Sequence, residues 1–112
     1  MVKFRKTRVK MSDTLSPIDV GEMVREASEL GSHRYEVVPH NKLRATVATV
    51  IKGYKPGSKP RPSRWGLKGP TGVKLPDGTV HLSDGHHRAD EAVRKKKSLG
   101  VHVVDADYED FE

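Results

Sequence analysis

Residues 80–92 read VHLSDGHHRADEA, and the consecutive run Asp84, Gly85, His86, His87 and Arg88 is of a composition that can do chemistry. A β-prone apolar stretch precedes them and a helix-like stretch follows, so the turn should stand at a helix N-terminus. The first backbone N–H groups there lack intrahelical partners and the helix dipole is positive, which suits a phosphate. Gly85 would let the main chain approach that phosphate closely. His86, His87 and Arg88 add directional donors, the guanidinium as a fork for two oxygens. Asp84 can cap the helix, orient a histidine or hold magnesium through water. If the group is catalytic, His86 or His87 serves as general acid or base, Asp84 positions the metal ion and Arg88 stabilises phosphoryl charge.

Two other chemistries compete for the same residues. Adjacent histidines on a helix point roughly 100° apart, whereas zinc pairs sit at i, i+3 or i+4. His81, or His86 together with Asp90, could supplement them, but the chain has no cysteine and no second well-spaced pair, so no metal site is expected. The plainest alternative is that Asp84 caps an ordinary helix and the histidines face solvent.

The rest of the chain limits what the turn can serve. Its 112 residues correspond to one domain, and 34% apolar against 32% charged residues implies a small core with solvated arms. No apolar run approaches a membrane span and no signal-peptide pattern is present, so a cytoplasmic protein without a membrane partner is expected. The net charge of +6 is segregated. Residues 1–10 carry five basic residues and no acid, residues 41–76 carry nine and no acid, and residues 105–112 carry five acids and no base. A polyanion is the expected partner. Residues 1–12 read as a flexible basic arm and 105–112 as a flexible acidic tail, which could bind another protein or fold back on the basic surface.

Several elements are marked. SPIDVGEMVREASELG has Ser16 as N-cap, Pro17 in the first turn, Asp19 near the positive end and Gly31 as terminator, with Val20, Met23, Val24, Ala27 and Leu30 as an apolar stripe. RYEVV predicts a strand over 34–38. In NKLRATVATVIKGY, β-branched residues favour a strand, but Leu43, Val47, Val50, Ile51 and Tyr54 recur at helical spacing, and the reading adopted is a helix ended at Gly53. KPGSKPRPSR should be an exposed mobile basic loop. Lys52, Lys55, Lys59, Arg61, Arg64 and Lys68 would track phosphates there, with Trp65 either stacking on a base or buried in the core. GVKLPDGTVHLSD predicts a hairpin about Pro76, Asp77 and Gly78. A helix starting at Ser83 or Asp84, complemented by Arg94 to Lys97 and ended by Gly100, leads to a strand in VHVVD.

TVHLSDGHHRADEA, the following helix and LGVHVVD resemble the core of the ParB/sulfiredoxin-like superfamily over residues 73–104. The resemblance implies a small α/β (α+β) domain with a mixed sheet and flanking helices. In sulfiredoxins the corresponding GCHR turn binds ATP phosphates; Gly85, His87 and Arg88 match, and His86 stands where the catalytic cysteine would be, which removes sulfinic acid reduction. In ParB proteins the related turn binds CTP and a helix-turn-helix domain follows, for which a chain ending at Glu112 leaves no room. Kinase-like relatives use a further carboxylate, for which Glu36 is a weak candidate, and ParB-like nucleases share the turn. The resemblance thus implies ATP or CTP with magnesium as the cofactor of an enzyme, or nucleic acid as the partner. The second, with DNA bound largely without sequence preference, is the principal expectation. A short basic form is also similar to bacteriophage proteins, some of which would bind a host protein.

Overall fold

A computed structural model describes residues 2–31, 33–55 and 69–107. Its elements are β1 (Phe4–Lys6), α1 (Pro17–Leu30), β2 (Arg34–Val38), a short 3-10 turn (His40–Lys42), β3 (Leu43–Arg44), β4 (Thr49–Ile51), β5 (Thr71–Lys74), β6 (Val80–Asp84), α2 (His86–Lys95) and β7 (Leu99–Asp105). A mixed five-stranded sheet has the order β2-β7-β5-β6-β3, with β7/β5 and β6/β3 parallel and the other pairs antiparallel. β1 and β4 form a separate antiparallel ribbon. This is the α+β architecture with a mixed sheet and flanking helices expected from the sequence.

The two helices cover opposite faces of the sheet. Val101 and Val103 of β7 join Val80, Leu82, Ala89 and Ala92 in one apolar cluster, while Val104 joins Val20, Val24 and Val73 in the other. Successive strand residues point to opposite sides, so α2 covers the first face and α1 the second. Burial of these side chains is the main force holding the layers together.

α1 forms as its signals require. Ser16 Oγ accepts from the Asp19 amide (3.2 Å), Asp19 accepts in return from the Ser16 amide (3.3 Å), and Gly31 ends the helix at φ +68°. Leu30 departs from the expected stripe and is 79% exposed. The hairpin forms about Pro76 to Gly78, and Thr79 donates its amide to Asp77 (2.9 Å).

Five expectations are corrected. The segment 41–54 is not a helix: Leu43 and Arg44 pair with β6, Ala45 bridges to Met11, and Thr49 to Ile51 pair with β1. Its β-branched residues and the available strand edges override a helical periodicity with no partner surface. α2 begins one residue after Gly85, which takes φ +86°, while Asp84 ends β6 and accepts from the neighbouring Gly85 amide (2.8 Å); no side chain caps the helix. The helix ends at Lys95 with Lys96 in the left-handed conformation; Gly100 belongs to β7. Nor are residues 4–10 a free arm, since β1 is paired and Lys10 accepts from the Ala45 amide (2.8 Å). Asp105, placed with the tail by composition, closes β7 and is held by Arg34 (2.9 Å); residues 108–112 lie outside the described residues. Among the described residues no helix is long and apolar enough to cross a membrane.

Candidate functional site

α2 separates the two adjacent histidines as a 3.6-residue period must. His86 lies on the side of Ala89 and Val93, toward the sheet, and both its ring nitrogens are buried with no hydrogen-bond partner. Burial pushes its pKa down to about 4, against the pull of Asp84 and with a further push from His87. At neutral pH His86 is therefore an uncharged ring in the helix–sheet seam. That corrects the expectation of a phosphate donor or acid–base catalyst at this position.

His87, Asp90, Glu91 and Arg94 recur at i, i+3, i+4 and i+7 and form the other working face. With Arg5 of β1 and Ile51, Tyr54 and Lys55 of β4 and its following turn, they line a cleft. His87 Nε2 accepts from the Ile51 amide at 3.0 Å, so its proton, when neutral, is on Nδ1. The His87 and Tyr54 rings are 4.4 Å apart between centroids, tilted by 46°. The Tyr54 amide donates to Ile51 O (3.2 Å), which fixes the turn, and its side chain remains 45% exposed.

Asp90 is the anchor beneath this cleft. Its side chain is 5% exposed and accepts from both terminal nitrogens of Arg5, from the Arg8 amide (2.8 Å) and from Arg8 Nη1 (3.1 Å). Burial raises the carboxyl pKa, but the hydrogen bond from Arg5, the Arg8 amide and the two guanidinium charges outweigh it and hold the group down at about 2. Asp90 thus joins α2 to the basic N-terminal segment. Glu91 is occupied by Lys95 (2.7 Å) and lies near Arg94 (3.9 Å); the Lys95 hydrogen bond lowers its pKa and Arg88 adds a favourable charge.

The predicted residues are distributed unevenly around this site. Lys55 lines the cleft, Lys52 is exposed beside it with its amide on Lys3 O (2.8 Å), and Arg88 is half-buried. Asp84 is exposed at the end of β6. A Cβ on Gly85 would lie 2.6 Å from Pro70, so the close approach at that glycine is made by Pro70 rather than left to a ligand. Lys59, Arg61, Arg64, Trp65 and Lys68 lie outside the described residues. Arg5, Tyr54 and Arg94 were missed as site residues. Spacing on α2 could have found Arg94; Arg5 reaches Asp90 across 85 positions and carried no local signal.

A second polar chain lies on the opposite sheet face. Thr79 Oγ1 donates to Asp77 (2.5 Å), so it must accept from His81 Nε2 (2.8 Å), leaving Nδ1 to accept from Ser12 Oγ (2.7 Å). Burial lowers the His81 pKa, Asp77 and Asp13 oppose this and Arg44 adds to it. Ser12 Oγ also accepts from the Leu15 (2.9 Å) and Thr14 (3.3 Å) amides, so its lone pairs are occupied and the chain pins the 12–15 turn to the hairpin. His81 is therefore a structural residue. Among the described residues no three His, Asp or Glu side chains gather about a point that could hold a metal ion. Comparison with protein-family models, with curated proteins and with solved structures gives no match to this chain.

Proposed function

We propose that this protein is a nucleic-acid-binding module whose phosphate contacts lie along the cleft between the β1–β4 ribbon and α2. The observation that carries the reading is the charge balance there. Arg5, Lys55 and Arg94 line the cleft, and Arg8 and Lys95 reach its two acids from the sides. The acids among them, Asp90 and Glu91, are each taken up by neighbouring cations. Positive charge therefore exceeds negative charge, and a polyanion with regularly spaced phosphates complements it.

The phosphate contacts of this module lie on the helix face that follows the DGHHR turn, not at the turn itself. Gly85 is covered by Pro70 and His86 is neutral, whereas His87 and Arg94 meet Arg5 and Lys55. The order β6, Gly85 turn, α2, β7 supports the ParB/sulfiredoxin-like reading of this region. No base-reading helix is part of the proposal, so binding should be largely independent of sequence.

Fluorescence anisotropy with a labelled oligonucleotide, titrated at several salt concentrations, tests it. Affinity should fall steeply with salt, and Lys55→Ala or Arg94→Ala should each reduce the slope of log K against log[salt] by about 1. Absence of binding at low salt, or a slope near zero, would overturn the proposal.

A further inference from the structure

Resting on the reading as a nucleic-acid-binding module, we propose that the preferred ligand is single-stranded nucleic acid, with one unpaired base stacked on Tyr54 and the flanking phosphates held by Lys55 and Arg94. Tyr54 is a large aromatic left 45% exposed in a cleft whose lining includes Lys55 and Arg94, with the acids Asp90 and Glu91 paired to Arg5, Arg8 and Lys95. Its ring is supported by His87 at 4.4 Å, His87 is fixed by the Ile51 amide, and the Tyr54 backbone is fixed by Ile51 O. An aromatic held in this way loses little freedom when a base stacks on it.

The chemistry distinguishes strands from duplexes. Every base has a π face, but in a duplex those faces are already stacked and only base edges and the backbone are offered. An exposed ring flanked by cations therefore gains most from an unpaired base, and gains it without reading the sequence. The oppositely placed tyrosine illustrates the contrast. Tyr35, on the α1 face of the sheet, is also exposed, but it stands edge-on to His102 (5.4 Å between centroids) and lies outside the residues that line the cleft.

Anisotropy titrations of the whole chain against a short DNA strand, the RNA strand of the same sequence and the corresponding DNA duplex test this. The single strands should bind more tightly than the duplex. Tyr54→Ala should weaken strand binding by roughly 5- to 150-fold while leaving duplex binding nearly unchanged. Tyr54→Phe should retain strand binding, and Tyr35→Ala should leave both ligands unaffected. Duplex binding as tight as strand binding, or an equal effect of Tyr54→Ala on both, would overturn the single-strand assignment while leaving nucleic-acid binding in place. No binding to any of the three would overturn the underlying reading as well.

Discussion

Asp90 and Glu36 each hold two cationic side chains, and the difference between their surroundings separates the two ends of the molecule. Asp90 is 5% exposed, is satisfied by two guanidinium groups and a backbone amide, and ties α2 to the N-terminal segment. Glu36, at 27% side-chain exposure, shares Arg34 and Lys74 with Asp105 in a cluster of two acids and two bases on the β2–β7 edge. Burial makes the first cluster a structural joint. Charge balance makes the second one electrically quiet, and in the proposed function it is the cations near the first that meet the nucleic acid.

The glycines give the largest test of this contrast. Gly85→Ala places a Cβ against the ring of Pro70 at φ +86°, where neither the backbone nor the proline can yield easily, and should cost about 2–5 kcal/mol. Gly100→Ala meets the hydroxyl end of the exposed Tyr35, which can swing aside, so a loss of about 1 kcal/mol or less is expected. Urea unfolding of both variants measures the difference, and equal losses would remove the distinction between a rigid and a yielding region.

Acid should act first on the α2 region. A histidine whose folded pKa lies below its unfolded value stabilises fully above about pH 6.5 and loses that stability as pH falls toward the folded value. For His86 that window runs from 6.5 to about 4, with a loss of up to about 3 kcal/mol. His86→Leu should flatten the stability profile over this window, because it also removes two unpartnered buried nitrogens. An unchanged profile would show that another group controls it.

Asp90 titrates lower. Its depressed pKa contributes stability that is present above about pH 4 and lost as pH falls toward 2, amounting to about 2 kcal/mol. Asp90→Asn should show a deficit of about 2–3 kcal/mol at pH 7, together with faster amide exchange at Lys6 and Arg8, whose segment it releases. The smallest effect is expected at Glu36→Gln, about 0–1 kcal/mol and reduced by salt, as for a half-exposed pair. A loss at Glu36 as large as that at Asp90 would mean that burial does not set the difference.

The limits of local sequence reading appear in particular residues. α1 was legible because Ser16, Pro17, Asp19 and Gly31 act within one turn of the chain. The hairpin was legible because Asp77 and Gly78 define a turn regardless of what surrounds it. The segment 41–54 was not, since its strands are completed by β1 and β6, elements distant in sequence. For the same reason Tyr54 looked like one more apolar position on a helix, and Gly100 like a helix stop rather than the floor beneath Tyr35.

By itself the sequence determined the excess of positive charge, its segregation, the capped helix, the hairpin and the strand–turn–helix–strand order around DGHHR, all of which follow from composition or from interactions between near neighbours. Tertiary structure decided that His86 would be neutral and buried while His87 supports a tyrosine, and that Asp90 would gather Arg5 and Arg8. Those outcomes depend on desolvation and on contacts across the whole chain, and neither quantity exists until the sheet and both helices have assembled.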